Sequence, residues 1–285
     1  MTGFNQERFK AAYEIVRACA GQSVFAQPTL HVFSNLSSTN QTAWELLEQG
    51  APIATTIIAL EQTAGRGQWG RQWASAPGGL YLSMTLTPDI PAEQAPQLTL
   101  CTAWGIATAL RELPPQLSGT TAPIAIGLKW LNDLVLNQRK LGGILTETRL
   151  QQGRITKAVV GVGINWTNPV PDTGINLQSV LANSPTPLIE SLEMLAALTA
   201  YGLLSGYERW QRQGIEPILL EYFELLAHRD RPIVINGQSG KIVGVTATGE
   251  LRVQFPATVV LSSPQTADSS EVLVKPSTIS LGYPL

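Results

Sequence analysis

What this chain has least of is reactive side chains. Two cysteines, Cys19 and Cys101, and two histidines, His31 and His228, are all that its 285 residues contain. They stand far apart and in no metal-ligand spacing, which argues against a zinc site and makes the cysteines free thiols of a reducing compartment. So few imidazoles also leave a Ser-His-Asp machine short of a base. Charge is sparse as well. Charged residues make up 14% and the formal net charge is −2, which argues against a general nucleic-acid binder, since that needs a strongly basic face. No apolar run approaches membrane-spanning length. Ala18-Cys19-Ala20 has the form of a signal cleavage site, but Glu7, Arg8, Lys10, Glu14 and Arg17 leave no apolar segment before it. The expected location is the cytoplasm, with neither membrane nor nucleic acid as a partner.

What is present is a globular composition, 44% hydrophobic, in a chain long enough for one large domain or two. Apolar residues at Phe9, Ala12, Tyr13 and Val16 predict an amphipathic helix over residues 4–18 that docks on a domain. Ser38-Thr39-Asn40-Gln41 has the S-x-x-Q spacing of a capping box, opening a helix that stops at Gly50. It reads equally as a plain helix cap or as a donor-rich pocket for a polar ligand. Strands are predicted at 55–60, 80–86, 124–130, 134–136, 144–148 and 155–164, and helices at 95–113, at 188–203 and near 218–226. Pro114-Pro115 is expected to end the first of these, and residues 167–188 read as a surface connection. From Arg229 only short strands remain, the last at 278–281, with turns at Asn236-Gly237, Thr248-Gly249 and Ser262-Ser263-Pro264. That predicts a small SH3-like β-barrel.

The stretch Gly65-Arg66-Gly67-Gln68-Trp69-Gly70-Arg71-Gln72-Trp73 concentrates chemistry. Three glycines let the backbone approach a ligand closely, two arginines bring permanent charge, and two tryptophans offer stacking faces. That suits an anion joined to a flat ring. Gly65-x-Gly67-x-x-Gly70 matches the dinucleotide fingerprint only formally, because the next element is a strand and not a helix. Lys140 stands beside Gly142-Gly143, where a lysine can present a point charge to phosphate or carboxylate. Lys129 reads as a solvated strand-end lysine or a functional one. Asn132, Asp133 and Glu147 read as ligands of a metal or an adenine edge, or as turn caps.

Five ordered segments carry a resemblance. Ser38-Thr39-Asn40-Gln41, Gly65-Arg66-Gly67-x-x-Gly70-Arg71-x-Trp73, Lys129-Trp130-x-Asn132-Asp133, Arg139-Lys140-Leu141-x-Gly143-Ile144-Leu145-x-Glu147 and Gly161-x-Gly163-Ile164-Asn165 resemble the biotin protein ligase family in order and spacing, over roughly residues 35–166. Residues 1–30 are too few for the DNA-binding domain of that family's repressors, so the resemblance is to its monofunctional type. It implies an α+β fold, with a mixed β-sheet backed by helices as in class II synthetases. The implied division is a helical segment (1–30), a biotin- and ATP-binding catalytic domain (31–228) and the small β domain (229–285).

The implied reaction activates biotin with ATP as biotinyl-5′-AMP and transfers the biotinyl group to a lysine of biotin carboxyl carrier protein. Mg²⁺ is the implied cofactor, and the protein is a monomer or a homodimer. By the same resemblance Ser38, Thr39, Asn40 and Gln62 bond biotin's ureido end. Arg66, with the Gly67 and Gln68 backbone, folds over the carboxylate and then the acyl phosphate. Lys140 contacts both, Gly143 and Leu145 offer backbone groups to biotin, and Trp73, Asn132 and Asn165 serve ATP. Arg66 and Lys140 are the implied catalytic pair. No metal-binding side chain is implied. Two positions depart from the family: Gln68 stands where a second arginine, associated with holding the adenylate, is usual, and Leu131 replaces the proline of Lys-Trp-Pro-Asn. The rival readings are a lipoate or octanoate ligase and a non-catalytic ligand-binding module.

Overall fold

A computed structural model describes residues 3–20, 27–118, 124–182, 189–229, 231–256, 270–276, 278 and 281–283. Helix α1 (Gln6–Ala20) leads to strand β1 (Thr29–Phe33), helix α2 (Thr39–Glu48) and strand β2 (Thr55–Ala59). The glycine stretch follows, then β3 (Leu80–Leu86), the two-residue β4 (Ile90–Pro91) and helix α3 (Ala95–Ser118). Strands β5 (Ile126–Lys129), β6 (Asp133–Leu136), β7 (Arg139–Gln151) and β8 (Arg154–Ile164) come next, followed by helices α4 (Leu177–Leu181), α5 (Leu192–Gln213) and α6 (Glu216–Glu224). The chain closes with β9 (Pro232–Ile235), β10 (Gln238–Val245), β11 (Leu251–Phe255) and β12 (Ser270–Val274).

The main sheet runs β1-β2-β3-β8-β7-β6-β5, with β4 on β8. It is mixed because β1 pairs with β2 in parallel while the other pairs are antiparallel. Short antiparallel connections use left-handed turn residues. Asn137-Gln138 (φ 48 and 63) and Gln152-Gly153 (φ 51 and 76) both take positive φ at the two central positions, the geometry that matches strand twist. The second sheet, order β12-β11-β10-β9, is antiparallel and consistent with the SH3-like unit.

Helices cover both faces of the main sheet. On one face α5 packs against β3, which buries Leu80, Leu82, Met84 and Leu86, α3 packs against β5, β6 and β7, and α1 lies on α5 through Phe9, Tyr13 and Val16. Burying each of those side chains stabilises the fold by about 1.5–3 kcal/mol. On the other face α2 sets Ala43, Trp44 and Leu47 over Ile57 and Val159. Every residue of β3 is therefore buried, including the polar alternates Ser83 and Thr85.

Several local expectations are corrected. Helix α3 runs through Pro114 and Pro115 to Ser118, because Leu113, Pro114 and Pro115 are buried against the core, and tertiary packing outweighs the lost donors. The stretch 167–188 is more than a surface connection: it contains α4, with Leu177 and Leu181 buried and Asn176 capping Ser179 N. Strand β1 has no counterpart among the expected strands. The helix expected from Leu188 begins at Leu192, Leu188 itself lying outside the described residues. So do Ser262-Ser263-Pro264 and Ile279-Ser280, and the flanking Thr278 and Leu281 of the last expected strand are not in a strand.

Helices α3 and α5 meet on glycine. A Cβ at Gly206 would stand 2.1 Å from the Cys101 carbonyl oxygen, and one at Gly105 2.2 Å from that of Gly202. Gly206→Ala is expected to force the helices apart and destabilise the protein by about 1–3 kcal/mol, measured as a lower urea midpoint at unchanged slope.

Candidate active site

A cavity of about 540 Å³ opens on the α2 face of the sheet. Its walls are the first turn of α2, the glycine stretch, β7, β8, the β5–β6 connection and the C-terminal tail. No helix N-cap made by the α2 sequence itself closes it. Ser38 makes no side-chain cap and the Gln41 amide goes to Glu45, so the expected capping box does not form. Gln62 caps the helix from the exit of β2: its Oε1 accepts from Thr39 N at 2.9 Å and Thr39 Oγ1 at 3.1 Å, while its Nε2 donates to Ser75 Oγ at 2.8 Å.

Beside it, Ser83 Oγ lies 2.7 Å from Thr39 Oγ1 and 2.6 Å from Asn40 Oδ1. Asn40 Nδ2 donates to Glu147 Oε2 at 2.8 Å, and Trp44 Nε1 reaches the same oxygen at 3.3 Å. Glu147 also pairs with Arg66 of the glycine stretch. The polar end of the cavity is thus a closed set of oriented groups, buried at Ser38, Thr39, Asn40 and Ser83.

The glycine stretch folds on itself as a small hairpin. Gly67 N donates to Arg71 O at 2.7 Å and Trp73 N to Gly65 O at 2.9 Å, around a tight turn at Gln68–Gly70. Trp69 stands at its tip, 66% exposed. Trp73 turns inward onto β8. Its Nε1 would be 2.5 Å from a Cβ at Gly163, and its ring edge 3.5 Å from one at Gly143. A Cβ at Gly161 would meet Asn40 Oδ1 at 2.1 Å. The two glycines of Gly161-x-Gly163 are separated by a single residue, so they face the same side of the strand. Trp73 Nε1 is buried and has no hydrogen-bond partner among the described residues.

The other end is cationic. Among the described residues the lining holds Arg66, Arg71, Lys129 and Lys140 against one carboxylate, Asp133. Lys140 immediately precedes a β-bulge at Leu141, where the β6–β7 register shifts between Leu134 and Val135, and its backbone is held by Thr173 O and Ile175 N. Its Nζ is 2.8 Å from Asp133 Oδ1 and 5.3 Å from the Trp73 ring centroid. Asp133 Oδ2 accepts from Tyr283 Oη at 2.6 Å, and Lys129 Nζ lies 4.0 Å over the Tyr283 ring. Burial holds the Lys129 ammonium below the usual lysine range; Asp133 opposes this, while Lys140 and Arg71 add to it. Burial, then the Asp133 charge, pushes the Tyr283 phenol up.

These residues have relatives. The model of the biotin/lipoate A/B protein ligase family matches residues 32–165, and the bifunctional ligase/repressor BirA of Bacillus subtilis (strain 168) is 32% identical over 226 residues, spanning 77% of this chain and 67% of that protein. The chain belongs to this family. The biotin–[acetyl-CoA-carboxylase] ligase of Paracoccus denitrificans is 29% identical over 243 residues, 79% of this chain and 94% of that one. In fold, the chain is similar to the biotin protein ligase from Aquifex aeolicus solved with biotin and ATP, with TM-score 0.62 and 21% identity over 86% of this chain and 99% of that chain.

The family motifs converge on the cavity. Ser38, Thr39, Asn40, Gln62, Arg66, Gly67, Gln68, Trp73, Asn132, Lys140, Gly143 and Leu145 all line it. Asn165 does not: its Nδ2 faces Lys140 O at 3.4 Å and its Oδ1 accepts from Asn168, so it braces the backbone under Lys140. Asn132 Nδ2 donates to Ile144 O at 2.8 Å. Ser83, Ser75 and Tyr283 escape sequence reasoning. Only the partner across space marks each of them, although a serine at an otherwise clean alternation in β3 is a signal for the first.

Tyr283→Phe keeps the ring beneath Lys129 and deletes only the hydroxyl. The tail at Gly282 and Tyr283 is expected to exchange its amide hydrogens at least several-fold faster while β7 and β8 are unchanged, as read by hydrogen-exchange mass spectrometry.

Proposed function

We propose that the chain is an ATP-dependent biotin protein ligase, which joins biotin's carboxylate to the α-phosphate of ATP and passes the biotinyl group to a lysine of a biotin carboxyl carrier protein. The observation that carries this reading is the hydrogen count at the polar end. Three contacts, Thr39 to Gln62, Thr39 to Ser83 and Ser83 to Asn40, share two hydroxyl hydrogens, and both outer partners are carbonyl oxygens that only accept. The cradle is one donor short. Gln62 Oε1 also accepts from Thr39 N, so neither carbonyl oxygen is bare, but the cradle presents more lone pairs than hydrogens: a cyclic urea brings two N–H groups to them, whereas the alkyl end of octanoate brings none.

The rest of the cavity supports the same order. From the polar head, the carboxylate side chain of biotin would extend towards Arg66 and Lys140. Adenine would stack on Trp73, with Asn132 nearby. In the first step a carboxylate oxygen attacks the α-phosphorus and the bond to the bridging oxygen breaks, so pyrophosphate leaves. Bringing two anions together requires positive charge fixed in advance, which Arg66 and Lys140 supply. In the second step the carrier lysine's neutral amine attacks the acyl carbon, AMP leaves with the electron pair of the anhydride bond, and the amine loses a proton. The glycine hairpin over the cavity shields the anhydride from water.

Among the described residues no three His, Cys, Asp or Glu side chains gather to hold a metal, and Asp133 is already engaged by Lys140 and Tyr283. Mg²⁺ would arrive with the nucleotide, bound through its phosphates. Two free thiols, Cys19 and Cys101, agree with a reducing, cytoplasmic setting.

Incubation with ATP, labelled biotin and an apo carrier domain tests the reading: pyrophosphate release that requires biotin, followed by labelled carrier, is expected, and absence of both overturns it. In Lys140→Ala the rate of pyrophosphate release is expected to fall about 10²–10³-fold with the fold retained, since Asp133 keeps Lys129 and Tyr283. Gln68 lines the cavity where the family resemblance implies an arginine, so in Gln68→Arg labelled adenylate is expected to leave at least several-fold more slowly in a chase with unlabelled biotin and ATP. An unchanged off-rate would remove any role for position 68 in retention.

A further inference from the structure

Glu147 lies outside the cavity lining, yet it contacts both ends of what the cavity must grip. It stands on β7 opposite Val159 of β8, on the face covered by α2. One carboxylate oxygen takes Asn40 Nδ2 at 2.8 Å and Trp44 Nε1 at 3.3 Å. The other takes Arg66. Its side chain is 22% exposed.

An ionised carboxylate only accepts, whereas a primary amide has one accepting and one donating end. Facing Glu147, Asn40 must turn Nδ2 towards it and Oδ1 towards Ser83. A rotation of the amide by half a turn would place the donor at Ser83 and against the substrate's N–H groups. The neighbouring Gln62 is fixed in the same way, by the Thr39 N–H at its Oε1. A bare position completes the arrangement, since the Asn40 oxygen occupies the space that a side chain at Gly161 would fill.

We propose that Glu147 is a positioning residue for the ligation: it sets the donor and acceptor polarity of the cradle through Asn40 and, by holding Arg66, ties the glycine hairpin to that cradle. This rests on the ligase reading above. One carboxylate thereby makes recognition of the urea and placement of the carboxylate clamp parts of a single hydrogen-bonded unit. The class of ligand it selects is a neutral head that donates through N–H, joined to an anion.

The test is a double-mutant cycle between positions 147 and 40, read as KM for biotin and for ATP in pyrophosphate release. Glu147→Gln offers one acceptor to three donors, so either the Asn40 amide turns or Arg66 is released. Biotin KM is expected to rise about 10-fold or more, which is about 1.4 kcal/mol, with ATP KM within about twofold. Asn40→Asp alone sets two carboxylates face to face and should impair biotin binding comparably. In the double variant the carboxylate now at position 40 accepts from both Ser83 and the amide now at position 147. The cradle again presents an oxygen, and biotin KM should recover severalfold relative to either single variant. That recovery is also the control for folding, since a disrupted fold would not be repaired by a second substitution. Biotin KM unchanged in Glu147→Gln, a parallel rise in ATP KM, or a double variant no better than the singles overturns the proposal while native activity stands. Native protein that releases no pyrophosphate with biotin sinks the ligase reading and this one together.

Discussion

The Trp73 indole rests on the bare backbone of Gly163, and the Asn40 amide on that of Gly161 two residues earlier in the same strand. Those two close approaches determine the depth of the whole cavity. Glycine in the middle of a central strand gives up packing and chain entropy, and the loss is offset here by β8 pairing along its length with β7 and from Ala158 to Ile164 with β3. Because the strand is rigid, the two side chains laid on it are rigid as well. The first turn of α2 is held at the height of Asn40 and the base of the glycine hairpin at the height of Trp73.

Around that floor the polar groups divide by kind. Near α2 they are neutral, buried and mutually oriented, and their orientation is imposed by groups with a single possible role, the Thr39 N–H and the Glu147 carboxylate. Near the β5–β6 connection they are cations held around Asp133. Three lining cations, Arg71, Lys129 and Lys140, against one carboxylate favour an anion at that end. At the other end Arg66 is the cation that approaches among the described residues, and Glu147 already engages it. Asp133 keeps Lys140 in place before any ligand arrives, so little reorganisation accompanies binding. The Tyr283 contact brings the C-terminal tail into the same cluster.

Much of this is legible in the sequence. The alternation of β3 and the apolar stripe of α1 each depend on a local period, and both elements lie where that period places them. The failures share one cause. Pro114-Pro115 reads as a stop because the lost backbone bonds are local, whereas the burial that carries α3 onward is not. Ser38 to Gln41 reads as a self-capped helix, but the acceptor that caps it comes from Gln62, 23 residues from Thr39. Asn165 belongs to a family motif, and only its contacts with Lys140 O and Asn168 distinguish a brace from a ligand group.

By itself, the sequence determined the family, the strand and helix succession apart from β1, β4 and α4, and the inventory of groups around the glycine stretch, because spacing along a chain is enough to encode those. The tertiary structure alone decided which of these groups face one another. Ser83 lies on a polar alternate of β3 that pattern alone would leave to solvent, and α2 buries it instead. Glu147, a polar residue on a strand with no sign of function beyond its motif, becomes the acceptor that fixes Asn40 and holds Arg66. Hydrogen-bond polarity is a property of pairs, and the members of these pairs are separated by 43, 81 and 107 positions in the chain.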